Sequence, residues 1–167
     1  TTGDLIVNTI STPGGSVSLS ATAGAIQDGN GGANNVTAAS LTVSSSSGIS
    51  LDTTVDNLAS ADITGAGNIN IFNSGALLIT NAAAANGDIN ISNSTGDLTI
   101  GALTALAGGI HLTANAGSIF DGNGATVNLT AANDSTLRGL GGVVGLSADS
   151  IEVNINGGTL GVAATGQ

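Results

Sequence analysis

Gly67-Asn68-Ile69-Asn70-Ile71 is answered twenty positions later by Gly87-Asp88-Ile89-Asn90-Ile91, and this pair decides how the chain folds. In each, a glycine is followed by alternating polar and aliphatic residues. That period of two belongs to a half-buried strand, not to a helix. The phrase recurs on both sides. Gly3-Asp4-Leu5-Ile6-Val7 and Gly15-Ser16-Val17-Ser18-Leu19 precede it, and Gly75-Ala76-Leu77-Leu78-Ile79 lies between the two copies. Gly96-Asp97-Leu98-Thr99-Ile100 and Gly108-Gly109-Ile110-His111-Leu112 follow, with shortened forms at Gly24-Ala25-Ile26 and Gly117-Ser118-Ile119.

The step from Gly3 to Gly15 is twelve and that from Gly15 to Gly24 is nine; from Gly67 the steps are eight, twelve, nine, twelve and nine. Paired steps add to twenty or twenty-one, which makes one coil carrying two marked strands. A fixed period of this size signals a solenoid. A leucine-rich repeat has a similar period, but the intervals here are too short and too rich in Gly and Ser for its helical or turn segment. The expected fold is therefore all-β, a parallel β-helix (β-solenoid) of about 20–21 residues per coil. The aliphatic pairs Leu5/Val7, Val17/Leu19, Ile69/Ile71, Ile89/Ile91 and Ile110/Leu112 should point inward. Ser16, Asn68, Asn70, Asp88, Asn90, Asp97, Thr99 and His111 should point outward. Ile6 and Leu78 break the rule and suggest a contact face or a loop cover. The phrase glycines are expected at corners, where positive φ is free of steric cost.

A longer repeat overlies the short one. Asp28-Gly29-Asn30-Gly31 returns as Asp121-Gly122-Asn123-Gly124, a displacement of ninety-three that Gly3/Gly96, Gly15/Gly108 and Gly24/Gly117 also keep. Residues 1–167 then read as one segment with a 93-residue super-repeat, 3–95 followed by an incomplete 96–167. Four coils of twenty-one fall nine short of that displacement, so one coil per super-repeat is expected to carry an extension. It is placed between Gly24 and Gly67, and again after Gly117. No composition break divides domains. The pattern also predicts uncapped ends that continue or stack end to end.

Composition narrows the function. Charged residues are 7% of the chain and the two aromatics are Phe72 and Phe120. A hydrophobic fraction of 41% opposes disorder, which combines low hydrophobicity with high net charge. The net charge is −10, with Arg138 the sole Lys or Arg residue. Nucleic acid binding needs basic side chains to displace counterions, so it is excluded, as is an anionic lipid surface. No apolar run approaches a membrane span.

The phrase, the coil length and the Ser/Thr/Asn/Gly bias resemble the filamentous-haemagglutinin-like adhesins of bacterial surfaces. The stretch Gly48-Ile49-Ser50-Leu51-Asp52-Thr53-Thr54-Val55-Asp56-Asn57-Leu58 is similar to their repeat text. The resemblance covers essentially the whole chain. It implies a right-handed parallel β-helical shaft, export, an extracellular or cell-surface location and a role in adhesion. Partners would be further copies of the same repeat or neighbouring filament subunits, with host or cell-surface glycans as a further class.

Catalytic chemistry finds little material. A polysaccharide lyase needs basic groups beside its carboxylates, and one Arg cannot supply them. A glycosidase needs a carboxylate pair, but sugar platforms usually add Trp or Tyr, which are absent. His111 has no obvious nucleophile beside it and reads as a surface residue. Arg138 is expected to pair with Asp134. No catalytic, cofactor or metal residue is assigned. The best cation candidates are the two Asp-Gly-Asn-Gly segments, Asp28–Asn30 and Asp121–Asn123, whose oxygens suit calcium. The same residues are what tight turns require, and turns are favoured. Glycosylation acceptors occur at Asn35, Asn90, Asn93, Asn128 and Asn133. An ice-binding face would need a sustained Thr-x-Thr ladder, and none is found. The reading is an exported structural rod without catalysis, with a glycan, calcium or protein-binding face as the alternative.

Overall fold

The computed structural model describes residues 2–166 and is all β, a parallel solenoid of about eight turns. Every strand pairing within its sheet is parallel, joining each strand to one about a lap away. Three ladders run along the rod. The first stacks Leu5, Ile26, Ile49, Ile69, Ile89, Ile110, Ser135 and Leu160. The expected coil length holds along it from Ile49 to Ile110, whereas the laps that end at Ser135 and Leu160 are longer. The second ladder stacks Val17, Leu41, Leu58, Ile79, Ile100 and Asp121, with Leu77, Leu98, Ile119 and Val144 beside them. The third stacks Leu19, Val43, Ala61, Ala82, Leu103, Leu129 and Val153.

The inward pairs named from the alternation line a single core from Val7 to Leu137. Ile69, Ile89, Leu98, Ile100, Ile110 and Leu112 are fully buried. Each such side chain contributes about 1.5–3 kcal/mol relative to exposure. Small buried residues, Ala61 and Ala82, fill part of the third ladder. The exceptions Ile6 and Leu78 are 55% and 39% exposed; they point outward and no loop covers them.

Three sequence expectations need correction. The first concerns the phrase glycines. Gly24, Gly108 and Gly117 do not have positive φ. A Cβ on Gly87 would meet the carbonyl oxygen of Gly67, one on Gly108 that of Gly87, and one on Gly117 that of Gly96. Close approach of successive coils selects these glycines. Positive φ does hold at three of the phrase glycines, Gly67 (148°), Gly87 (158°) and Gly96 (76°), and it holds as well in the loops at Gly31 (67°) and Gly124 (65°).

The second concerns the extension. Four laps of the first ladder carry the chain from Leu5 to Ile89. The nine positions left in the super-repeat bring it to Leu98, on the second ladder. Conversely, one super-repeat takes Val17 on the second ladder to Ile110 on the first. Those nine positions are part of a lap, so the super-repeat exchanges faces of the coil; loops do leave the coil in both placed intervals, and the laps across them, Ile10 to Val36 and Leu103 to Leu129, are 26 residues long.

The third concerns the outward position after each phrase glycine. Those Asp and Asn residues do more than face solvent, because their side chains accept backbone N–H groups of the next coil. Asp4 Oδ1 accepts from Ala25 N (2.9 Å), Asn68 Oδ1 from Asp88 N (2.8 Å), Asp88 Oδ1 from Gly109 N (2.9 Å) and Asp97 Oδ1 from Ser118 N (2.8 Å). Backbone donors at the corners need such partners where strand pairing lapses.

Candidate functional site

The two Asp-Gly-Asn-Gly segments open a closely matched pair of loops that the super-repeat places on two different faces. Residues 28–35 leave the coil where a strand would otherwise continue, and residues 121–128 do the same. Asp28 stands in register with Val7 on the first ladder, and Asp121 with Ile100 on the second. Each Asp folds its loop back as an Asx-turn: Asn30 N donates to Asp28 Oδ1 (2.8 Å), and Asn123 N to Asp121 Oδ1 (2.9 Å).

The centre of each loop is an asparagine whose sequence context marks it only as a glycosylation acceptor. Asn35 and Asn128 are both fully buried. Asn35 Nδ2 lies 2.6 Å from Asp28 Oδ1, 2.9 Å from Asn30 Oδ1 and 2.8 Å from Val7 O. Asn128 Nδ2 lies 2.6 Å from Asp121 Oδ1, 2.8 Å from Asn123 Oδ1 and 2.9 Å from Ile100 O. The Oδ1 of each accepts a backbone N–H from the following coil, Asp52 N and Glu152 N, both at 2.8 Å. A buried amide with two donors and an acceptor thus joins three coils.

This geometry bears on calcium. The Oδ1 atoms of Asp28, Asn30, Asp121 and Asn123 receive amide hydrogens, so each turn closes largely on its own groups, while Asp121 Oδ2 is buried without a partner among the described residues. Among the described residues, no group of three or more His, Cys, Asp or Glu side chains is placed to hold a metal ion. The Asn35 amide holds the Asp28 carboxyl below the usual carboxylate range, with the Asn30 N–H adding to it. For Asp121 the Asn123 N–H comes first and the Asn128 amide second. An acid of a following segment faces each loop. Burial, and then the charge of Asp28, push Asp52 up. Burial, and then Asp121, push Asp149 up.

The remaining candidates fall apart as a catalytic set. His111 Nδ1 lies 3.1 Å from Thr136 Oγ1 on the outer face. The expected Asp134–Arg138 pair gives way to another contact. Asp134 Oδ1 accepts from Thr159 N (2.8 Å) and Thr159 Oγ1 (3.0 Å), which lower its carboxyl below the ordinary value. Arg138 points outward, in register with Thr113 and Ala163. Asn35, Asn93 and Asn128 are fully buried, so a folded coil leaves no room for a glycan on them. Asn90 and Asn133 reach the surface.

Two shallow depressions adjoin on the outer face of the first ladder and share Ser50 and Asn70. A polar column, Ser50, Asn70, Asn90 and His111, crosses them at one residue per coil, with Asn90 Nδ2 donating to Asn70 Oδ1 (3.0 Å). Phe72, 40% exposed, stands beside it in register with Asp52. Among the described residues no helix is long and apolar enough to cross a membrane. No protein-family model, no curated protein and no solved structure matches the chain.

Proposed function

We propose that this chain is a non-catalytic structural rod, a shaft segment of an exported bacterial surface adhesin of the filamentous-haemagglutinin-like kind. The observation that carries this reading is the unbroken core from Val7 to Leu137, inside parallel backbone pairing along the rod. Backbone pairing and aliphatic stacking need few charges, which agrees with the composition. The polar groups described above hold coils together, as a shaft requires. Immuno-electron microscopy of the source cells tests the proposal. Label along surface fibres supports it, and label confined to the cell interior overturns it.

A second reading is a glycan-binding face. It is favoured by the paired depressions with Asn70, Asn90 and the exposed Phe72. Planar amides and an aromatic face suit neutral sugars, while the net charge of −10 disfavours polyanions. Glycan-array binding that Phe72→Ala abolishes would favour this reading, and an empty array would remove it.

A further inference from the structure

The two matched loops are covered by unequal lengths of chain. Over the first, three positions lead from Ile49, in register with Ile26, to Asp52, whose N–H donates to Asn35 Oδ1. Over the second, eight positions lead from Val144, in register with Ile119, to Glu152, whose N–H donates to Asn128 Oδ1. The longer path is pinned on both sides. Gly145 N donates to Ile119 O (2.8 Å), and Asn128 N donates to Glu152 O (2.9 Å). Between these points the chain leaves the coil at Gly145, which holds a left-handed φ of 70°, and closes a turn through paired bonds between Leu146 and Asp149. The turn carries Asp149 within hydrogen-bonding range of the Asp121 carboxyl, whereas Asp52 acts on Asp28 through charge alone. Two ionised carboxylates have no donor to use at that range.

A separate observation points to a ligand. Asp121 is 8% exposed, and its Oδ2 is buried with no hydrogen-bond partner among the described residues. Its Oδ1 already accepts from Asn123 N and the Asn128 amide, so Oδ2 is the oxygen left to face the turn. Glu152 repeats the pattern. Ser150 Oγ donates to its Oε1 (2.9 Å), while Oε2 is buried and has no partner among the described residues. Asp28 and Asp52 have no such atom. A buried carboxylate oxygen without a donor or a cation is costly. The chain has no Lys, and its one Arg, Arg138, sits on the strand Ser135–Gly139 of the first ladder, not the second. Both oxygens are already shut off by described residues, so no further coil is needed to close them in. Asp149 itself is exposed, which gives an ion a way in.

We propose that Asp121 Oδ2 and the Asp149 carboxylate together bind a calcium ion. Two acids ligate it directly, in keeping with the lack of any three-acid metal group among the described residues. Carbonyl and water oxygens fill the rest of the shell, and Glu152 adds its negative charge nearby. The ion turns the repulsion of the paired carboxylates into attraction, which no side chain of this protein is placed to do. Calcium tolerates a flexible shell of oxygens, as an exposed turn set against a fixed buried oxygen provides, whereas magnesium demands a near-ideal octahedron. Bound there, it ties the extra turn to the second loop and joins successive coils, as the Asn128 amide does. The first loop, with its short cover and no unpartnered oxygen, lacks the site.

The test is isothermal titration of calcium chloride into the purified, chelator-treated chain, with thermal melts at matched ionic strength. Matching matters because a net charge of −10 responds to any salt. One calcium per chain and a raised melting midpoint are expected. Asp149→Asn keeps the turn, since its amide can donate to Asp121 Oδ2, and should weaken calcium binding at least ~10-fold, the loss that even an outer partner of a metal site causes. Asp52→Asn, over the first loop, should leave binding unchanged. Circular dichroism checks that both variants fold. No binding at millimolar calcium overturns the proposal and leaves a shared proton as what holds the pair. Binding that survives Asp149→Asn overturns it too, as does binding that Asp52→Asn removes, because either marks a diffuse response to charge. An equal midpoint shift from magnesium overturns the choice of calcium.

Discussion

The loop from Asp28 to Asn35 and the loop from Asp121 to Asn128 are built alike and supported differently. Their internal hydrogen bonds match. The amide–carboxylate contact is 2.6 Å in both, and so is the 2.8 Å acceptance from the next coil shared by both. The surroundings differ. Asp52 belongs to the long regular strand Ile49–Ala66, whereas Glu152 follows an irregular stretch that contains the Leu146–Asp149 bridge. The likeness shows that the motif Asp-Gly-Asn-Gly-x-x-x-Asn specifies its own geometry. What it needs from its host is two successive carbonyls on the coil before, Val7 and Asn8 or Ile100 and Gly101, and one N–H on the coil after, and either face of the solenoid supplies them.

That comparison can be broken most severely at the buried amide. Asn35→Asp and Asn128→Asp each place a second carboxylate against the first in a site shut from water. Each is expected to lose about 4 kcal/mol in denaturant unfolding near neutral pH, with partial recovery in acid as one carboxyl takes a proton. Equal losses uphold the autonomy of the motif. A large loss at one site only would show that the surroundings dominate.

A milder cut sharpens the same point. A Cβ at Gly31 or Gly124 meets no neighbouring atom within 4 Å, yet both residues hold a left-handed φ, 67° and 65°. Gly31→Ala and Gly124→Ala should each cost about 1 kcal/mol, and the two melting shifts should match. Asn30→Ala and Asn123→Ala remove one partner of the buried amide and one loop-to-coil contact each. A loss of about 1 kcal/mol is expected from either, read in the same melts.

The smallest effect lies in pH. Asp28 and Asp121 have lowered folded values, so their stabilisation is present above the ordinary 3.8 and fades as pH falls through the lowered value. Asp52 and Asp149 have raised folded values, so their contribution is present below 3.8 and is lost as pH rises through the raised value. Asp52→Asn and Asp149→Asn should therefore gain on wild type as pH climbs from 3.8 towards neutrality. Thermal melts across that range would show it, and parallel curves for variant and wild type would refute it.

Much of this is legible in the chain itself. The alternation in Gly67–Ile71 and Gly87–Ile91 marks strands whatever surrounds them, because period two leaves one face apolar. The buried hub is half legible. Asn35 and Asn128 keep the same displacement as the Asp-Gly-Asn-Gly segments, but an acceptor sequon and a buried amide look identical until solvent exposure is known. The crossing of faces is hidden, because both sides of the coil use the same phrase. The nine-residue excess then reads wholly as insertion, although the laps across the loops run only to 26 residues and the rest comes from the change of face. Gly108 and Gly117 mislead for a related reason, since the collision of a Cβ there with the carbonyl of Gly87 or Gly96 has no trace in either residue's own neighbourhood.

By itself, the sequence determined the strands, the coil length and the inward residues, because each follows from local alternation and a repeated spacing. Only the tertiary structure decided which lap meets which. That choice rests on contacts between residues one coil apart, where a missing Cβ, a buried amide and a shared carbonyl act from lap to lap.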